Sequence, residues 1–221
     1  MNIGQMNVFQ LIAAGGAIMY PIILCSVFAF AIFIEKMLYF SSIKTDTQAL
    51  KVKILDLVKG NKIKEAMDAC DNNPSPVAKI FKAGVAKFGS SRDEIKEAME
   101  NISLFEIPKL EKRLAALATI ANIAPLLGLL GTVTGMCGSF QMIQIRSSAM
   151  SPVTPADLAG GIWEALLTTV AGLMVAIPTF VAYNYCVSRV DQTILDMERG
   201  ATELVNFLSH LTETDSAKHG N

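Results

Sequence analysis

The segment GGIWEALLTTVAGLMVAIPTF, residues 160–180, sets a carboxylic acid, Glu164, and two hydroxyls, Thr168 and Thr169, in an otherwise apolar run. A carboxylate at the centre of a membrane helix costs roughly 2.5–3.5 kcal/mol on insertion scales, so it needs a physical reason to be there. Three are open for Glu164: passage of an ion or proton, attachment of a partner helix, or a neutral, hydrogen-bonded carboxyl at a helix contact. A hydroxyl both donates and accepts, so threonine can hold a water chain or bind a partner's acid without adding a fixed charge. A second segment, PLLGLLGTVTGMCGSF (125–140), adds Thr132 and Ser139 to this set. Nucleophilic hydrolysis does not fit. Both histidines, His210 and His219, lie near the C-terminus, and neither an HExxH nor a paired-aspartate motif is present.

These residues must be positioned by a membrane scaffold. Hydrophobic residues make up 52% of the 221, charged residues only 18%, against about a quarter in soluble domains. A net charge of −1 with no basic tail argues against nucleic acid as a partner. The cysteines, Cys25, Cys70, Cys137 and Cys186, form no CxxC pair, so neither a zinc site nor a disulfide framework is expected, and no cofactor is implied.

Three stretches reach the length of about 20 apolar residues that a span requires. They run over 13–34, 114–145 and 158–187, and the last two are long enough to tilt or to project beyond the bilayer. Residues 35–113 hold 15 of the 19 Lys and Arg, the 146–157 turn holds one, and residues 1–12 hold none. The positive-inside rule therefore puts 35–113 and the 188–221 tail in the cytoplasm, and the N-terminal segment and the turn outside. Glu35 and Lys36 then mark the inner interface, and residues 1–12 are expected along the outer one.

The insert reads as a small helical bundle running on into the membrane helices. Helical runs end at Gly60, at NPSP (73–76) and at Gly89, and Ser91 with Glu94 forms a capping box for the next. Pro108 is expected to kink that run, not to end it. Beyond the third span, Val190, Ile194, Met197, Ala201, Leu204, Leu208 and Leu211 follow a heptad seam. It fits packing against the chain's own insert helices or against a neighbouring copy. The last ten residues read as a solvated tail.

On a helical wheel with Glu164 at zero, Thr168, Gly161, Thr179, Gly172, Ala165, Ala176 and Thr169 fall between about 40° and 140°. Bulky Leu167, Met174, Trp163, Val181, Val170, Ile177 and Leu166 fall between about 200° and 300°. In the second span Pro125, Gly128, Thr132, Gly135 and Ser139 cluster within about 80°. Gly128, Gly131, Gly135 and Gly138 recur at spacings suited to close helix approach, which tight packing alone would explain. Two polar faces call for a shared polar surface. One subunit of three spans offers little room for it, so a homo-oligomer around a central cavity is expected. A scaffold whose polar faces only join subunits is the competing reading.

PLLGLLGTVTGM (125–136), followed by GGIWEALLTTVAGLMVAIPTFVAYN (160–184), resembles the MotA/TolQ/ExbB proton-channel family, and most closely its ExbB and TolQ branch. The sequence departs from that branch at Thr134 and Trp163. The resemblance implies an all-α homopentamer in the bacterial inner membrane, its second and third spans lining a central pore. It implies that an ExbD- or TolR-like dimer, one aspartate-bearing helix per chain, occupies the pore, and that proton flow drives a TonB- or TolA-like transducer acting on the outer membrane. Carried onto this chain, Thr132, Thr169 and Glu164 belong to the proton pathway, with Thr168 and Ser139 beside them on the pore-lining faces. Five subunits around two helices cannot match in symmetry, which suits rotation of one component within the other.

Overall fold

A computed structural model describes residues 15–43, 47–149, 152 and 154–219, and all regular structure among them is helical. In chain order the helices are α1 (Met19–Ser42), α2 (Thr47–Lys59), α3 (Ile63–Asp71), α4 (Pro76–Ala86), α5 (Arg92–Glu111), α6 (Leu114–Ser148) and α7 (Pro155–His219). Three helical stretches, Met19–Ser42, Arg92–Ser148 and Leu158–Leu211, are long and apolar enough to cross a membrane. The chain is thus an all-helical membrane protein. The expected interfacial segment 1–12 lies outside the described residues, as does part of the turn after α6.

The described chain forms two compact units. One takes the residues up to Glu35 with Arg113–Tyr185, the other Lys36–Lys112 with the chain from Cys186 onward. The first unit holds the apolar lengths of α1, α6 and α7. Arg113 opens it in a left-handed conformation (φ 68°) and pairs with Glu35. The run from α5 into α6 is therefore broken at Lys112–Arg113, while Pro108 sits inside α5. That proline costs one backbone bond, but helix formers resume at once on either side of it.

The second unit packs α2 to α5 around the later part of α7. Ile54, Val58, Ile80, Phe81, Ile95 and Met99 are buried with Met197, Leu204 and Leu208. A Cβ at Gly200 would meet Phe81 ring carbons at 2.8–2.9 Å, so only glycine lets α7 lie this close to α4. The heptad seam is therefore occupied by the chain's own helices. Ser75 and Ser91 cap α4 and α5 through their hydroxyls, Ser91 as its capping box predicts. Lys36 is buried and donates to the Leu110 carbonyl at 2.7 Å, near the C-terminus of α5, where a cation meets the negative end of the helix. Helix α7 continues to His219, so the backbone of the expected tail is helical as far as that residue.

Candidate functional site

Helices α6 and α7 approach through their small residues. A Cβ at Gly172 would meet the Ala124 carbonyl oxygen at 2.6 Å, and one at Gly128 would lie 3.0 Å from the Thr169 Cα. Gly131 faces the Thr168 side chain, Gly161 faces the Ser139 hydroxyl, and Gly135 lies against Ala165 and the Gly161 carbonyl. Close approach lets side chains reach across. Thr169 Oγ1 donates to the Gly128 carbonyl at 3.0 Å, tying α7 to α6. Ser139 Oγ sits 3.2 Å from the Gly135 carbonyl and 3.5 Å from the Leu158 carbonyl.

The predicted polar residues thus separate. Thr168 (1% exposed) and Ser139 (5%) are buried in the contact between the two helices, and Thr168 donates to the Ala165 carbonyl at 2.8 Å. Thr132 and Thr169 stay half-buried. Thr132 donates to the Leu129 carbonyl at 2.6 Å. In each threonine the hydrogen is engaged by backbone, while the oxygen keeps lone pairs for a donor such as water or a protonated acid. The small faces find each other within one chain, and their hydroxyls are satisfied there. Pro125 is half-buried inside α6, and Gly138 has nothing within 4 Å of a Cβ placed on it.

Glu164 lies elsewhere on this pair. With Thr134, Gly138, Ser139, Met142 and Thr168 it lines a cavity of about 480 Å³ that also reaches Gly15, Ala17 and Ile18 ahead of α1. Its carboxyl rests against Gly16, whose φ of +64° suits glycine, and a Cβ there would overlap Glu164 Oε1. No hydrogen bond or ion pair joins this carboxyl to another described residue. Gly16 escaped the sequence reading. Its one signal was the Gly15–Gly16 pair just ahead of the first apolar helix.

With this geometry in place, comparison with known proteins locates the chain. The profile of the MotA/TolQ/ExbB proton channel family matches residues 72–199. A protein of Methanothermobacter thermautotrophicus named as a biopolymer transport protein ExbB homolog is 30% identical over 194 residues, 87% of this chain and 67% of that protein. A Synechocystis protein named as a biopolymer transport protein ExbB-like 3 is 33% identical over 171 residues, 77% of this chain and 80% of that protein. The matched region takes in all of α6 and the hydroxyl- and acid-bearing part of α7, and transport, not enzymic turnover, is the business of such proteins. The chain belongs to the MotA/TolQ/ExbB proton channel family.

Proposed function

We propose that this chain is the pore-forming subunit of a motor in the inner membrane, driven by the proton-motive force. Five copies surround an axial pore. An ExbD- or TolR-like dimer, one span per chain, stands inside it, and a TonB- or TolA-like protein carries the work to the outer membrane. The 35–113 insert and the end of α7 are cytoplasmic, with the N-terminus and the 146–157 turn outside. Family membership supports the channel, and the 15 Lys and Arg within 35–113 support the orientation.

The observation that carries the proton path is the pair Thr132 and Thr169, half-buried, with oxygens free to accept while their hydrogens bond carbonyls of α6. The acid on the partner helix, when protonated, can donate to such an oxygen; when ionised, it finds no donor and moves on. Each proton falling through about 150 mV yields roughly 3.5 kcal/mol. That is enough to bias a rotor between near-equivalent positions, which the five-to-two mismatch keeps from all being satisfied at once.

The test is proton flux in proteoliposomes holding the chain with its partner. Thr132→Ala combined with Thr169→Ala is expected to abolish flux while the oligomer still assembles, and Thr169→Ser, which keeps a hydroxyl, is expected to retain it. Undiminished flux in the double variant refutes the threonine path. A scaffold role predicts no flux from the wild type at all.

A further inference from the structure

The cavity beside Glu164 lies within the unit that holds the apolar lengths of α1, α6 and α7, and the channel reading gives it no occupant. The chemistry of its polar side chains is one-sided. Thr134 Oγ1 donates to the Leu130 and Gly131 carbonyls at 3.0 and 3.1 Å, Thr168 Oγ1 to Ala165 at 2.8 Å, and Ser139 Oγ to Gly135 at 3.2 Å. Each hydroxyl hydrogen is spent on the backbone, so these three have only lone pairs left to offer a ligand. The remaining polar side chain of the lining, the Glu164 carboxyl, accepts only when ionised, and it has no hydrogen-bond or ion-pair partner among the described residues. It stands about 9 Å past Leu158, where the apolar stretch begins, and a carboxylate at that depth needs a counter-charge.

A ligand that suits these side chains donates, does not accept, and is positively charged. Size and wall add that it is organic. A volume of about 480 Å³ falls in the range of small-molecule sites and far exceeds one metal ion, and Ala17, Ile18 and Met142 give part of the lining apolar character. Among the described residues, no group of three or more His, Cys, Asp or Glu could hold a metal. A quaternary ammonium has no N–H to give, and the aromatic rings that recognise one are missing from this lining. We infer that the crevice binds a primary ammonium group. Its N–H groups are shared between Glu164 and the hydroxyl oxygens of α6 and α7, and its carbon chain lies along Ile18 and Met142. Two sources carry this chemistry: a free alkylamine entering near the α6–α7 connection, and the ethanolamine headgroup of a lipid.

Gly138 and Glu164 make it testable. A Cβ at Gly138 meets nothing within 4 Å, whereas at Gly131, Gly135 or Gly161 it would strike the neighbouring helix, so Gly138 alone of these four can be enlarged without parting α6 from α7. The test is calorimetry on the purified full chain in detergent, with propylammonium as the probe. Saturable binding is expected for the wild type and for Gly138→Ala. Glu164→Gln should weaken it about tenfold or more, as loss of a charge-assisted hydrogen bond does. Gly138→Leu, which fills the crevice, should abolish it, and thermal melting checks that both variants are folded. Tetramethylammonium and sodium carry the same charge without N–H donors and should not compete. Equal competition by either, undiminished binding in both variants, or no binding to the wild type overturns the site. Native mass measurement after reconstitution separates the sources. Retention of phosphatidylethanolamine over phosphatidylcholine, lost in Gly138→Leu, assigns the lipid; propylammonium binding without that preference assigns the free amine. Binding is read without flux. A wild type that conducts protons and binds no amine loses the site and keeps the channel; one that binds and does not conduct keeps the site and loses the channel.

Discussion

The left-handed backbone of Gly16 sets how closely the Glu164 carboxyl can lie against the residues ahead of α1. An L-residue there costs about 1–2 kcal/mol in backbone strain, and its Cβ takes the place of Oε1. Gly16→Ala should therefore displace Glu164 and depress proton flux in proteoliposomes. Gly15→Ala should be mild, because its Cβ meets only the flexible end of Met19 at 3.0 Å. Equal flux in both variants would remove Gly16 from the site. Glu106, in the α2–α5 unit, has a different role. Burial pushes its carboxyl up, but hydrogen bonds and charge from Lys109 and Lys79 outweigh this and hold it below the usual 4.5. A group depressed in the folded state stabilises above its unfolded pKa and loses that contribution as pH falls toward the folded value. Thermal melting should accordingly show the wild type losing stability below about pH 4.5, with Glu106→Gln flattening that limb; parallel curves would refute the assignment. At this scale the sequence was readable where a residue clashed with its surroundings, as Glu164 does. Gly16 was hidden, because its contact is with a residue far along the chain and its φ leaves no local mark.

The pairing of α6 with α7 depends on backbones that nearly touch. At Gly172 the obstacle to a side chain is the Ala124 carbonyl, part of the helix itself, which cannot rotate aside. Gly172→Ala should part the helices, weaken the Thr169–Gly128 bond and cost about 1–3 kcal/mol, as overpacking does. Detergent melting curves would show this as a lowered midpoint, and Gly138→Ala, facing open space, serves as the comparison. A Gly172→Ala protein as stable as wild type would mean that the two helices separate more easily than their contacts imply. The helical wheel sorted α7 well. Ala165, Thr168, Gly172, Ala176 and Thr179 are buried, while Leu166, Val170, Met174, Ile177 and Val181 are exposed. What the wheel could not supply was the partner of the small flank. Periodicity gives a direction, and the same stripe of small residues suits a helix of the same chain or of the next. The break at Arg113 was equally hidden, since no glycine or proline marks it.

On the scale of the whole molecule, exposed apolar surface has to be assigned a cover. Met174, Ile177 and Val181 lie within the third span, where lipid or a neighbouring copy can take them. Leu104 and Phe105 on α5 are different. Each is 69% exposed, and both precede the 114–145 span in a stretch carrying Glu106, Lys109, Glu111 and Lys112. Acyl chains do not reach so charged a segment on the proposed orientation, and burying such side chains is worth about 1.5–3 kcal/mol each. In the proposed homo-oligomer a second copy is the cover, which would place this patch at the seam between subunits. Native mass measurement in mild detergent should give the wild type as five chains of 23.8 kDa. Leu104→Ser with Phe105→Ser should shift that population toward smaller assemblies, while the melting of each chain's own α2–α5 core, to which neither side chain contributes, stays near wild type. A wild type running as single chains would remove the pentamer. A five-chain ring indifferent to both serines would keep the pentamer and place its seam on another face.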